Sequence, residues 1–300
     1  MGKLDGRSVI VTGASRGIGE AIARTLAAEG GNILCVARTL SEGSHDMTTY
    51  MRDQGRPGEP NAPFPGSLES TVAAIREAGG EATALAADLA DPDECRRVVD
   101  EARRIYGPVD VLVNNAALAV FLPVAEFPYD SWLRSFQIIV HASFVLSQCV
   151  LEDMVPRKRG AIVNISSSAA RGPGSAPYAP PPPDMPAVTG YGAAKAALER
   201  FTQGLAQEVR DDNIAVSALS PSIIVPTAGA VFHKGVRYIG DENGEPPEWM
   251  AQSVLLLATE PAEKMNGMVT YSQKILTEHG VLEKGVGMGV DRPGSGFSQI

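Results

Sequence analysis

Short runs of aliphatic and β-branched residues alternate along the chain with longer stretches in which apolar positions recur every three or four residues. The short runs, Ser8–Thr12, Asn32–Ala37, Ala82–Ala87, Val109–Asn114, Gly160–Ser166, Ile214–Ser220 and Met268–Ser272, predict strands. The longer stretches predict helices near Gly17–Glu29, Ser67–Ala78, Pro92–Tyr106, Asp130–Met154, Tyr191–Arg210 and Pro246–Thr259. Short apolar strands that alternate with helices imply an α/β fold, with one parallel sheet covered by helices on both faces.

Three stretches break the pattern. Residues 39–66 are polar and rich in Pro and Gly, and residues 171–189 contain Pro180-Pro181-Pro182-Pro183, so both read as surface insertions. Residues 281–300 are Gly-rich and read as a flexible tail, or as one ordered only against a neighbouring subunit. With no second composition regime and no internal repeat, residues 1–280 are read as a single domain.

The first chemistry along the chain follows the first strand. Thr12-Gly13-Ala14-Ser15-Arg16-Gly17-Ile18-Gly19 leads directly into a helix. Glycines there permit a tight turn and let the backbone approach a pyrophosphate, and the free N–H groups of the helix start attract the anion. Strand, glycine loop and helix in that order are the context that makes such a motif informative.

Thr12, Gly13, Gly17 and Gly19 match the Thr-Gly-x-x-x-Gly-x-Gly motif of the short-chain dehydrogenase/reductase family. Asn114-Asn115-Ala116-Ala117 after the fourth strand is close to that family's Asn-Asn-Ala-Gly, and Tyr191-Gly192-Ala193-Ala194-Lys195 is its Tyr-x-x-x-Lys. The chain therefore resembles this family from about Lys3 to Ser272, with the motifs in the expected order. The resemblance implies a single Rossmann-type, doubly wound parallel sheet flanked by helices on both faces. It also implies hydride transfer between NAD(P)(H) and the alcohol or ketone of a small organic molecule.

By the same resemblance Tyr191 exchanges a proton with the substrate oxygen, Lys195 holds the nicotinamide ribose and assists the proton, and Ser167 hydrogen-bonds the same oxygen. Ser166 and Ser168 flank that position, and Tyr178 has no lysine four residues on. Tyr191 and Lys195 share one helix face, and a nearby ammonium is expected to lower the phenol's pKa. The cofactor contacts implied are Gly13, Ser15, Arg16, Gly17, Ile18, Gly19, Arg38, Asp88, Leu89, Asn115, Ala116, Tyr191, Lys195, Ile224 and Thr227. The second strand ends Cys35-Val36-Ala37-Arg38, with no acid to take a ribose 2′-hydroxyl. Arg38 and Arg16 have the guanidinium geometry for a 2′-phosphate, so NADP is expected, with NAD as the alternative.

The chain departs from the family in two places. Ser220-Pro221-Ser222 stands where Pro-Gly is usual, and Ile139 stands where the family often has an Asn that anchors a relay water. Isoleucine cannot hydrogen-bond, so the relay is expected to be weakened or rerouted, and Ile139→Asn to raise turnover. A cofactor-binding protein with weak or lost catalysis is the alternative reading.

Composition narrows the picture further. The chain has 300 residues, 44% of them hydrophobic, and a net charge of −9, which disfavours nucleic acid and anionic membranes as partners. No apolar run is expected to reach the length of a bilayer span. The 3 cysteines and 4 histidines are scattered without metal spacing, so no metal site is expected, and reduced thiols suit a cytoplasmic protein. Helix Asp130–Met154 is apolar on more than one stripe, consistent with a homodimer or homotetramer, or with cover by the Pro-rich insertion. Tyr178, Met185, Val231, Phe232 and Tyr238 in the irregular segments suggest an apolar carbonyl substrate, a steroid or terpenoid ketone being one candidate.

Overall fold

The computed structural model describes residues 2–44, 65–172, 176–178 and 187–292. The predicted strands all form: β1 (Ser8–Thr12), β2 (Asn32–Ala37), β3 (Glu81–Ala86), β4 (Val109–Asn114), β5 (Gly160–Ile165), β6 (Ile214–Ser220) and β7 (Val269–Tyr271). They pair in parallel as a 7-stranded sheet of order β3-β2-β1-β4-β5-β6-β7. The order reverses between β1 and β4, and at such a switch point the loops leaving the strand ends diverge and open a crevice.

Helices α1 (Gly17–Ala28), α2 (Leu68–Glu77) and α3 (Pro92–Tyr106) follow the first three strands. The 29-residue α4 spans Tyr129–Arg157, and its middle turn, Gln137–His141, is π-helical. Next come α5 (Thr189–Glu208), α6 (Ala228–Phe232), α7 (Pro247–Thr259), α8 (Ala262–Met265) and α9 (Ser272–Glu278). The short α6, α8 and α9 carry too few turns to leave a periodic signal in the sequence.

The sheet is buried on both faces, which explains its nearly unbroken apolar strands. Val9, Val11, Ile33, Cys35, Val111, Val113, Ala161 and Val163 face α1, α2, α7 and α9. Ile10, Leu34, Val36, Leu112, Ile162 and Val216 face α3, α4 and α5. The expectation that nothing reaches a bilayer's length needs correcting for α4, which is long and apolar enough to span one. Half of that stretch is buried, and Val145, Leu146, Val150 and Met154 pack it against the sheet.

The tail also differs from expectation. Residues 281–292 fold back on their own chain: the Val286 N–H donates to Gln273 Oε1 (2.8 Å) and the Met288 N–H to the Ser222 carbonyl (2.8 Å). Most of the two insertions, Pro180–Pro183 included, and residues 293–300 lie outside the described residues. The described ends of the first insertion are tied together by the Gly66 N–H on Glu42 Oε1 (3.0 Å) and the Leu68 N–H on the Thr39 carbonyl (3.0 Å).

Leu112 lies in the middle of β4 with no exposure, so Leu112→Ala should cost about 2–5 kcal/mol in urea unfolding. Leu133→Ala, at a side chain 40% exposed, should stay within about 0.5 kcal/mol.

Candidate active site at the strand ends

The glycine loop crosses from β1 to α1 at the switch point. A Cβ on Gly19 would stand 2.1 Å from the Gly13 carbonyl oxygen, so no larger residue fits where helix and loop close on each other. Arg16 occupies the N-cap of α1 in extended conformation, and no side chain caps the helix. The first turn thus keeps backbone donors for an external acceptor. The loop is braced from β4: Asn115 Nδ2 donates to the carbonyls of Thr12 (2.9 Å) and Gly13 (3.3 Å), and Thr12 Oγ1 accepts from the Asn115 (2.9 Å) and Ala116 (3.0 Å) amides.

A cleft of about 510 Å³ runs over this loop. Of the residues expected at the site, Gly13, Ser15, Arg16, Gly17, Ile18, Gly19, Arg38, Asp88, Leu89, Asn115, Ala116, Ser167, Tyr191, Ile224 and Thr227 all line it. Lys195 does not: it lies fully inside, at 2% exposure, with its Nζ 5.6 Å from the Tyr191 ring centroid. The tight loop, the uncapped helix and the two arginines fit an elongated anion such as a dinucleotide.

At the adenosine end, Arg38 closes β2 and lines the cleft. Arg16 is turned aside, its Nε donating to the Pro65 carbonyl (3.0 Å) and its Nη2 to that of Gly66 (2.7 Å). Burial lowers its pKa, against the raising effect of Glu42. Burial pushes the Asp88 carboxyl up, but hydrogen bonds from Arg134 and the Ala90 amide, with the charges of Arg134 and Arg38, bring it below the usual range. Arg134 carries no family motif and escaped the sequence reading; it reaches Asp88 from α4.

At the other end, Leu118, Phe121, Ile138, Ile224 and His233 line the cleft. Phe121 meets Tyr191 edge-on (5.5 Å) and His233 at 4.5 Å, and Phe232 backs His233 at 5.1 Å. Burial pulls the His233 imidazole down to about 4, so it is neutral at physiological pH. Tyr178 and Tyr238, expected at a substrate pocket, are 64% and 48% exposed and do not line the cleft; nor does Val231. Met185 lies outside the described residues.

The reacting groups are set by a clasp between the end of β5 and α5. Asn164 Nδ2 donates to Thr202 Oγ1 (2.8 Å), and the Ile165 carbonyl accepts from Lys195 Nζ (2.5 Å). Ser166 Oγ donates to Glu199 Oε1 (2.7 Å), and the Ser167 and Tyr191 hydroxyls are hydrogen-bonded to each other. Gly192 makes the close approach possible, since a Cβ there would sit 2.5 Å from the Ala169 carbonyl oxygen. Of the neighbouring serines, Ser166 is buried and turned to Glu199, and Ser168 is exposed.

The Tyr191 hydroxyl departs from expectation. Burial pushes it up to about 12, outweighing the Ser167 hydrogen bond, so the phenol keeps its proton at neutral pH. The expected lowering by the Lys195 charge does not offset that burial.

Ile139 sits at 1% exposure in the π-helical turn, packed with Phe136, Tyr191, Ala194, Leu198 and Phe201. It is beside the reacting groups, as expected, but its surroundings are apolar. The one polar atom among these side chains is the Tyr191 hydroxyl, already paired with Ser167. Restoring an Asn is thus not a repair, and the expectation of faster turnover is withdrawn. The Glu199 carboxyl, missed in the sequence reading, is the polar group that flanks Lys195 instead. The signal was present: Tyr191, Lys195 and Glu199 fall at successive intervals of four on one helix.

A doubly wound sheet, a glycine loop at its switch point and a tyrosine–serine pair over a buried lysine define a dinucleotide-dependent oxidoreductase. The chain belongs to the short-chain dehydrogenase family: the short chain dehydrogenase model matches residues 7–56 and 64–233. A short chain dehydrogenase of Pseudocercospora fijiensis is 31% identical over 231 residues, which are 76% of this chain and 63% of that protein. A 3beta-hydroxysteroid dehydrogenase 1 of Eggerthella lenta is 28% identical over 89% of this chain and 92% of its own. A metagenomic short-chain oxidoreductase solved in complex with NADP superposes with a TM-score of 0.66 at 27% identity, covering 89% of this chain and 97% of that one.

Two outcomes follow from this geometry. Arg38→Asp should weaken NADPH and strengthen NADH binding in fluorescence titrations, relative to the unaltered chain. Ile139→Asn should cost about 1–3 kcal/mol in chemical unfolding, the usual cost of an unsatisfied buried amide, with no gain in turnover.

Proposed function

We propose that this protein interconverts a ketone and a secondary alcohol on an apolar organic substrate, with NADP(H) as the hydride carrier. The observation that carries the reading is the Tyr191–Ser167 hydroxyl pair on the wall of the cleft, with Lys195 buried behind it. The bound nicotinamide supplies or takes the hydride at the substrate carbon. In the reducing direction the Tyr191 hydroxyl donates its proton to the carbonyl oxygen while Ser167 donates a second hydrogen bond to it. A phenol held protonated near neutral pH suits that direction. The Lys195 ammonium then stabilises the tyrosinate that remains.

Three features support the substrate class and cofactor. The far end of the cleft is walled by Phe121, Leu118, Ile138 and Ile224, with a neutral imidazole as its polar group. Arg38 occupies the place where an acid would favour NAD. A hydroxysteroid dehydrogenase stands among the relatives, in keeping with a steroid-like or terpenoid ketone. Phe144, half exposed on α4 beside Phe201 of α5, leaves an apolar strip for a second copy of the chain.

A panel of apolar ketones with NADPH and NADH, followed at 340 nm, tests the reading. Tyr191→Phe should lower kcat by about two decades or more while cofactor binding stays intact, the scale of general acid catalysis. Tyr178→Phe, at an exposed ring, should change nothing. Turnover of no carbonyl by the unaltered chain, with cofactor still bound, would favour a binding protein that has lost its chemistry.

A further inference from the structure

Lys195 and Glu199 are both closed off from solvent, at 2% and 4% exposure, one turn apart on α5. An isolated charge in such a place costs several kcal/mol, so each needs a partner that holds its charged form. The partners are on the page. Lys195 Nζ donates to the Ile165 carbonyl (2.5 Å), and Glu199 Oε1 accepts from Ser166 Oγ (2.7 Å). The two anchors are consecutive residues of the chain, so one strand end fixes both side chains at one depth. α4 presents the apolar Ile139 region to α5, packed against Ala194 and Leu198.

We propose that Glu199, held by Ser166, is a positioning residue that keeps the Lys195 ammonium charged beneath Tyr191. In this chain a buried carboxylate one turn along α5 thus does electrostatic work where Ile139 provides no polar contact. The inference rests on the reading that Lys195 serves proton transfer at Tyr191. Glu199 touches neither substrate nor the reacting atoms; it acts through the lysine.

The titratable surroundings agree. Burial pulls Lys195 down to about 7, and Glu199 is the charge that opposes it. Burial pushes Glu199 up to about 7, opposed by the Ser166 hydrogen bond and the Lys195 charge. From β7, Tyr271 is influenced by Glu199; burial raises its hydroxyl, the Glu199 charge raises it further, and Arg171 acts in the other direction. On α5 itself the other titratable neighbour is Tyr191, whose ring centroid lies 5.6 Å from Lys195 Nζ. The sign follows directly. Lys195 is charged below its pKa and neutral above it, so carbonyl reduction that needs the ammonium fails as pH rises. Removing the Glu199 charge lowers that pKa, and the failure comes at lower pH.

The test uses the full chain labelled with 13C and 15N at its lysines, with the Lys195 resonance assigned by its loss in Lys195→Arg. In Glu199→Gln, which keeps the size and the hydrogen bond from Ser166, the Lys195 titration midpoint should fall by about one pH unit or more, the scale of a nearby opposite charge. The alkaline limb of kcat should fall with it, so activity at a pH on that limb drops about tenfold. Ser166→Ala should move both quantities in the same direction by less, and it serves if Glu199→Gln does not fold. A midpoint that stays in place in the folded variants overturns the proposal. So does a uniform loss of kcat with its pH profile unmoved. A lowered midpoint in a chain that reduces no carbonyl upholds the coupling and removes the functional reading instead.

Discussion

The site depends on keeping a lysine charge inside the protein. Lys195 heads the fully buried side chains, and its removal from water is offset by the Ile165 carbonyl at the end of β5, which accepts from its Nζ, and by the Glu199 charge one turn on along α5. That requirement fixes the distance between β5 and α5. It is met by hydrogen bonds from residues 164–167 to α5 and by the absence of a side chain at Gly192. The Tyr191–Ser167 pair then falls on the cleft wall as a consequence of the same clasp. Polar groups inside a low-dielectric interior are strong when satisfied and costly when not, so the clasp is set as a unit.

The cleft owes its position to topology. Reversal of strand order between β1 and β4 parts the loops after those strands, and the glycine turn keeps the opening clear of side chains. Asn115 and Thr12 lock the two loops together, so the backbone that faces the anion is rigid. The folded-back tail adds a brace on the far side. Met288 binds the Ser222 carbonyl, and the buried Glu245 carboxyl receives Ser272 Oγ (2.6 Å) and Gln273 Nε2 (2.9 Å). The segment after β6, which leads to Ile224 and Thr227, is tied to α9 and the tail through Ser222, Ile223 and Glu245. The Pro-Ser sequence that departs from the family lies in this tied segment.

Much of this was legible in the chain. Strands such as β1, β2, β4 and β6 are short, apolar and bounded by turn residues, so their limits were plain. The glycine loop and the Tyr191–Lys195 spacing express backbone and helix geometry directly, and the structure brings the loop and Tyr191 to one cleft with Lys195 buried behind them. What was not legible depends on three-dimensional neighbours. Ile139 looked like a missing polar group, and only its packing against Ala194 and Leu198 shows an apolar site. The lysine was expected to acidify Tyr191, but burial acts on both groups and dominates. The tail looked flexible by composition, yet its glycines let residues 287 and 289 approach Ser222 and Tyr271 closely. Arg134 and Glu199 lie on helices between motifs, where periodicity marks them as ordinary polar positions.

The central claim is that the cleft directs a hydride from a nicotinamide to a carbonyl carbon while the protein supplies the proton. Isotope tracing measures it directly. With NADPH deuterated at nicotinamide C4, on each face in turn, a reduced ketone should carry one deuterium on its carbinol carbon from one of the two cofactors. In deuterated water with unlabelled NADPH, that carbon should carry none. Product labelled at that carbon from the solvent, or from neither cofactor, would contradict the account.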